Sequence, residues 1–273
     1  MRRLRGLLAA CHLGPTLAVT AATTSLAGLV GRGWGCVAVA LAVFAGQLSV
    51  GWSNDWLDAA RDGATRRTTK PIVAGLVSAQ EVKVAALLAA LAAVPLSLLS
   101  GWRAAAVHLV AISSAWAYNA GLKAMWLSPL PYVISFALLP AFVTLGPPNF
   151  SWPRPVLMVV AALLGSGVHF INTLSDVEQD AITGIQGLPQ RLGPRRSAMV
   201  GSMLLLSGLL VLRLMSPRFP GLSDLLVVIG FGATAMVIAS AGRGRTAASQ
   251  HWAILVGGLG VVLFAVGNPS LVG

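Results

Sequence analysis

Acidic residues are scarce in this chain of 273 residues, which holds 8 Asp and Glu against 19 Lys and Arg and is only 10% charged. Soluble domains carry roughly a quarter charged residues. Together with 56% hydrophobic residues and a mean hydropathy of +0.80, that scarcity excludes a soluble globular protein. Cysteine is equally short. Cys11 and Cys36 both sit in apolar runs, which excludes a disulfide framework and a cysteine-based metal site. Soluble segments and low-complexity tails are also missing, so residues 1–273 read as one integral-membrane domain.

What is present is a series of apolar runs, at roughly 7–29, 34–53, 82–99, 103–119, 130–146, 155–174, 197–216, 222–241 and 250–268. Each approaches the ~20 residues that a bilayer core requires. Strands of a membrane barrel would alternate in polarity, and helices are the other way to satisfy the backbone in lipid. The expected fold is therefore all-α and polytopic, with about nine transmembrane helices. The start, "MRRLRGLLAACHLGPTLAVTAATTSLAG", has the basic-then-apolar order of a signal peptide. Its length, His12, Pro15 and the span that follows at once favour a first helix instead.

Positive charge orients the bundle. With the N-terminus inside, the cytoplasmic segments collect Arg2, Arg3, Arg5, Arg61, Arg66, Arg67, Lys70, Lys83, Lys123, Arg191, Arg195, Arg196, Arg243 and Arg245. Arg32, Arg103, Arg154, Arg213 and Arg218 remain outside. The positive-inside rule then predicts N-in and C-out. Anionic lipid or an anionic substrate accounts for the net charge of +11 without nucleic acid.

Against this background "NDWLDAARD" at 54–62 and "NTLSDVEQD" at 172–180 stand out, holding six of the eight carboxylates: Asp55, Asp58, Asp62, Asp176, Glu178 and Asp180. At ~100° per residue, Asn54, Asp55, Asp58 and Asp62 share an arc of about 100°, and Asn172, Asp176 and Asp180 one of about 80°. Glu178 points elsewhere and is not counted as a ligand. Like charges at this spacing repel, and carboxylates near a membrane interior need a positive partner. Mg²⁺ suits all-oxygen sites and is commonly shared between carboxylates and substrate phosphates. Two such stripes describe a cleft for a metal-chelated diphosphate. A solvated charge run is the plain alternative for either stripe alone.

Cations follow in the adjoining loops: Arg66, Arg67 and Lys70 in "GATRRTTKPIVAG", Lys123 with Tyr118 in "YNAGLK", and Arg191 in "GIQGLPQRLG". Such side chains hold phosphate oxygens, although cytoplasmic loops are basic in any case.

These residues resemble the UbiA superfamily of intramembrane prenyltransferases. Asn54, Asp55, Asp58 and Asp62 match its first motif in full, Asp176 and Asp180 match its second, and Gly184, Leu188, Pro189 and "RLG" at 191–193 are similar to the family's tail. The resemblance implies that both aspartate motifs bind a prenyl diphosphate through Mg²⁺, in a bundle whose cavity opens laterally to lipid. It also implies that Tyr118 and Lys123 approach the diphosphate. The sequence departs from the acceptor-side motifs of the quinone-pathway members.

Independently of the family, Mg²⁺ and fixed cations would neutralise charge on a departing diphosphate. The allylic cation left behind requires a dry, aromatic surrounding. Trp52, Trp56, Trp116, Tyr118, Trp126, Tyr132, Phe136 and Phe170 are the candidates, most of them serving packing or the interfacial belt. His169 lies seven residues before Asp176 on the expected helix face. It suits a base, a contact to an acceptor hydroxyl or a bond to a neighbour, and His12 suits the opposite wall. Helices 1–4 and 5–8 each carry a stripe on their second member, consistent with a weak internal duplication. The expected activity is Mg²⁺-dependent transfer of an isoprenyl group to a small, aromatic acceptor, at the cytoplasmic face of the inner (plasma) membrane. A cyclase of the same fold, transfer to a non-aromatic acceptor and a cation transporter are the alternatives. A transporter would place its carboxylates near the midplane instead of at one end.

Overall fold

The computed structural model describes residues 2–215 and 219–267. Residues 216–218 of the expected outer turn "SPRFPG" at 216–221, Arg218 among them, lie outside the described residues. Every regular element among those residues is helical: α1 (Arg2–Ala10), α2 (Leu13–Leu29), α3 (Gly35–Ala64), α4 (Ala79–Leu98), α5 (Trp102–Ala120), α6 (Leu130–Thr144), α7 (Pro155–Asn172), α8 (Val177–Ile182), α9 (Leu188–Leu214), α10 (Pro220–Gly242) and α11 (Thr246–Gly267). Six helices, α3, α4, α7, α9, α10 and α11, are long and apolar enough to cross a bilayer, and the α1–α2 pair makes a seventh if counted as one span. At 15 residues, α6 is shorter than a straight crossing requires.

Neighbours in sequence pack side by side from α2 to α7, α9 follows α7, and α11 returns against α2 and α7 to close the bundle. One apolar core gathers Ile171, Leu205, Leu209, Val237 and Leu263 from α7, α9, α10 and α11. A second gathers Val39, Val43, Ala104 and Phe142 from α3, α5 and α6. The C-terminal boundary of the loop before α4 is set by a capping box: Glu81 N–H donates to Ser78 Oγ, and Ser78 N–H donates to Glu81 Oε2.

The single helix expected over 7–29 is instead a broken one, because α1 and α2 meet at 61° across Cys11 and His12, where His12 adopts a φ of 54°. Contacts with α3 hold the bend. Trp52 Nε1 donates to the Leu7 carbonyl at 2.9 Å. Gly51 admits the chain, since a Cβ there would stand 2.3 Å from the Cys11 carbonyl oxygen. Gly51→Ala is expected to cost ~1–3 kcal/mol by overpacking, read as a lowered thermal midpoint in detergent; an unchanged midpoint would contradict this packing.

Arg32, expected as an outer surface charge, is buried. Its Nη1 donates to the Val143 carbonyl at 2.8 Å and its Nη2 to Ser100 Oγ at 2.9 Å, tying three segments together. A Cβ at Gly146 would fall 1.9 Å from that guanidinium. A count of positive charges cannot distinguish a solvated arginine from one turned inward.

The length of α3 positions the site. Its 30 residues span about 45 Å at 1.5 Å per residue, against a hydrocarbon core of about 30 Å. A helix of that length can cross the apolar layer and still leave its last turns, which carry the first acidic motif, beyond it.

Candidate active site

Along the inner face of α3, Asp55, Asp58 and Asp62 are only 3%, 6% and 2% exposed. Buried carboxylates require partners, and the loop after α3 supplies them. Arg66 takes a left-handed φ of 51°, Arg67 N–H bonds back to the Asp62 carbonyl, and Lys70 N–H bonds to that of Arg67, so the chain coils over the end of its own helix. Lys70 Nζ then donates to Asp55 Oδ1 at 2.6 Å. The same oxygen meets His12 Nε2 at 2.9 Å, delivered by the α1–α2 bend. Asp58 pairs with Arg61 at 2.7 Å and with Lys123, which arrives on the short 3-10 turn Leu122–Ala124. Burial pulls the Lys123 ammonium below its ordinary range, against the opposing pull of Asp58.

The second motif departs from the expected continuous stripe. α7 ends at Asn172, a 3-10 turn covers Thr173–Ser175, and α8 begins only after Asp176. At the break Thr173 Oγ1 donates to the carbonyls of His169 and Phe170, and Ser175 Oγ to that of Asn172. Asp176 and Asp180 nevertheless stay together, since Asp180 N–H donates to the Asp176 carbonyl at 2.7 Å. Arg67 joins the two motifs, with Nη1 3.3 Å from Asp62 Oδ1 and Nη2 2.6 Å from Asp176 Oδ1. Burial lowers the Arg67 basicity, but the bond and charge of Asp176 raise it further, for a net upward shift. Asp180 Oδ2 accepts from Gln190 Nε2 at 2.7 Å. Burial pushes the Asp180 carboxyl above its ordinary value, and the Gln190 bond only partly offsets it.

The fold thus gathers Asp55, Asp58, Asp62, Asp176, Asp180, Arg67, Lys70 and Lys123 at one end of the bundle. Tyr118 joins them from below: its ring lies edge-on to Tyr132 and His169, at 5.2 and 5.5 Å, within electrostatic reach of Asp58, Asp176 and Asp180. His169 is fully buried. Its Nε2 bonds Ser128 Oγ at 3.3 Å, while its Nδ1 has no partner among the described residues. Tyr132 tilts over it at 4.5 Å and stacks on Phe136 at 6.1 Å. Phe170 lies beside it at 5.6 Å.

Other expected residues are placed elsewhere. Arg191 is exposed and donates to the Gln186 carbonyl of its own loop at 2.7 Å, so it is not brought to the carboxylates. Arg66 is exposed and pairs with no carboxylate among the described residues. Asn54 and Asn172 are half-buried, and the Asn172 carbonyl accepts from Ser175 Oγ and from Gln250 Nε2. The Glu178 side chain lies outside what the structure describes. Among the aromatics, Trp126 is exposed, Trp56 meets Trp116 edge-on at 6.5 Å, and Trp116 Nε1 donates to Ser49 Oγ. Arg61, Ser128 and Gln190 are additions that the sequence reading did not select. Only the position of Gln190 inside "LPQRLG" hinted at it.

Oxygen donors from five aspartates suit a hard divalent cation. Among the described residues no three acidic, His or Cys side chains already surround one point. That is compatible with Mg²⁺, which keeps waters and takes one or two carboxylates together with phosphate. Arg67 is itself a cation that bridges Asp62 and Asp176. The donor chemistry fits.

A family model for UbiA prenyltransferases matches residues 12–255. The chain belongs to the UbiA prenyltransferase family. This makes it a family prenyltransferase, a transferase of alkyl groups and an integral multi-pass membrane protein. The UbiA-type fold recurs in solved structures. A digeranylgeranylglyceryl phosphate synthase is 16% identical, with a TM-score of 0.68 over 98% of this chain and 99% of the other. A UbiA homologue from Archaeoglobus fulgidus bound to GPP and Mg²⁺ is 16% identical, with a TM-score of 0.67 over 97% of this chain and 100% of the other. An apo UbiA homologue from Aeropyrum pernix K1 is 18% identical, with a TM-score of 0.68 over 90% and 96%. No curated protein matches this UbiA-family sequence.

Proposed function

We propose that this enzyme transfers an isoprenyl group from a prenyl diphosphate to a small aromatic acceptor, with Mg²⁺ as cofactor. One observation carries the reading: Arg67 spans Asp62 and Asp176, which brings the two aspartate motifs to within the reach of one cation. The Archaeoglobus homologue bound to GPP and Mg²⁺ supports it by analogy of fold.

In this reading the chain is one integral-membrane domain of nine spans, α1–α2 counting as one, arranged N-in and C-out in the inner membrane. Its carboxylates face the cytoplasm, where anionic donors are delivered. Asp55, Asp58, Asp62, Asp176 and Asp180 would hold the divalent cation, which supplies charge neutralisation on the departing diphosphate. Lys70, Lys123 and Arg67, already in place, exchange part of their carboxylate contacts for diphosphate oxygens. Tyr118, Tyr132 and Phe136 offer ring faces to the allylic carbon and keep water from it. The C–O bond to diphosphate breaks, the electron-rich carbon of the acceptor forms the new bond to the allylic carbon, and the proton displaced from that carbon passes to the released diphosphate. His169 Nδ1, a buried polar atom without a partner among the described residues, would hold the acceptor's oxygen.

The test is incubation of purified protein with geranyl, farnesyl and geranylgeranyl diphosphates and Mg²⁺, with and without an aromatic acceptor panel, followed by product analysis. Prenylated aromatic product supports the reading. A cyclic hydrocarbon formed without acceptor, or product only with a phosphorylated glycerol acceptor, would overturn it. His169→Ala is expected to slow transfer roughly 10- to 100-fold, the equivalent of one charged or well-placed hydrogen bond, while donor binding stays unchanged. Unchanged transfer kinetics would return His169 to packing alone.

A further inference from the structure

Asp180 stands on α8, a helix of six residues entered through a broken turn, so helical continuity does not aim its carboxylate. Gln190 does, through the 2.7 Å bond from Nε2 to Asp180 Oδ2. The orientation of the amide is informative. Gln190 Oε1 is buried without a partner among the described residues, at an expected cost of about 1–3 kcal/mol, and turning the amide over would set oxygen against carboxylate. The side chain is therefore held for the sake of Asp180.

The turn bearing Gln190 is clamped on several sides. Leu188 N–H donates to Ser128 Oγ at 3.1 Å, Ser128 Oγ meets His169 Nε2 at 3.3 Å, and Ser197 Oγ donates to the Pro189 carbonyl at 2.7 Å. Ser128, His169 and Ser197 are all fully buried. Gly187 makes the closeness possible. A Cβ there would stand 2.5 Å from the Lys123 carbonyl oxygen, 2.7 Å from Gln190 Oε1 and 2.9 Å from Ser128 Oγ. Lys123 in turn pairs with Asp58. One glycine thus backs both the main chain that carries Lys123 and the amide that bonds Asp180.

We propose that Gln190 is a positioning residue for Asp180, fixing one carboxylate oxygen so that the other is left for the divalent cation, and that Gly187 seats it. This rests on the reading that Asp180 helps to hold that cation. Hydrogen-bonding partners behind metal ligands typically contribute 10- to 100-fold in metal affinity.

The test is Mn²⁺ titration followed by electron paramagnetic resonance, on purified full-length protein with a geranyl thiolodiphosphate present, for wild type, Gln190→Met, Gly187→Ala and Asp180→Asn. Gln190→Met keeps length without the hydrogen bond. It is expected to weaken Mn²⁺ binding 10- to 100-fold, with turnover recovered by raising Mg²⁺, which Asp180→Asn does not allow. Gly187→Ala is expected to weaken Mn²⁺ binding similarly and to raise the donor KM as well, since Lys123 must move; it stands in if Gln190→Met fails to fold. Weaker binding in Asp180→Asn with wild-type binding in both other variants would overturn the positioning role. Wild-type binding in Asp180→Asn itself would instead remove Asp180 from the cation site.

Discussion

Asp58→Asn and Asp176→Asn are each expected to reduce turnover by at least about 10²–10³-fold, the usual consequence of losing one preorganised electrostatic contact at a charge-developing centre. Asparagine is the informative substitution. Alanine at 58 would strand Lys123 and part of Arg61 beside an empty space, and breaking a buried pair costs about 3–5 kcal/mol, so lost folding would be confused with lost chemistry. The two positions also report on different elements, since Asp58 lies on the continuous α3 and Asp176 at the break before α8. Turnover measured at saturating donor, beside a thermal melt of the same preparation, checks both. Near-normal turnover in either variant would remove that motif from the cation site.

Arg67→Gln is expected to move two affinities in opposite directions. Without ligands, the guanidinium neutralises Asp62 and Asp176 together and so competes with a divalent cation for the same oxygens. Its removal leaves two facing carboxylates, and Mg²⁺ should bind the donor-free protein more tightly and raise its thermal midpoint by more than in wild type. The donor loses a charge-assisted contact worth ~1.5–3 kcal/mol, so its KM should rise about 10- to 100-fold. Calorimetric Mg²⁺ titration and donor kinetics on one preparation separate the two effects. A fall in both affinities would mean that Arg67 only organises the loop.

The parts of this site that could be read from sequence are those that obey helical periodicity. Asp55, Asp58 and Asp62 fall on one uninterrupted helix, so their spacing states their common face directly. Asn172, Asp176 and Asp180 have similar spacing, but the 3-10 turn over Thr173–Ser175 interrupts the helix, and the two aspartates reach the cleft by that turn. Nothing local announces this, because residues 172–176 hold no Gly or Pro to break a helix. His12 reaches Asp55 through a bend fixed by Gly51 and Trp52, contacts more than 35 residues distant in the chain. Arg191 and Arg67 look alike as basic loop residues, yet one bonds its own turn and the other spans both motifs. Gln190 was hidden for a further reason: an uncharged amide gains significance only from the carboxylate it touches. The bundle itself was legible through its apolar runs, while the burial of Arg32 was not.

The central claim is that the gathered aspartates bind a prenyl diphosphate through a divalent cation. Its most direct test is the affinity of purified protein for geranyl thiolodiphosphate, measured by calorimetry in Mg²⁺ and again in EDTA. The account predicts binding in Mg²⁺ that weakens at least about 100-fold in EDTA, as expected when carboxylates and diphosphate are left to repel each other. Equal affinity under both conditions would contradict it, and would assign donor binding to Lys70, Arg67 and Lys123 alone.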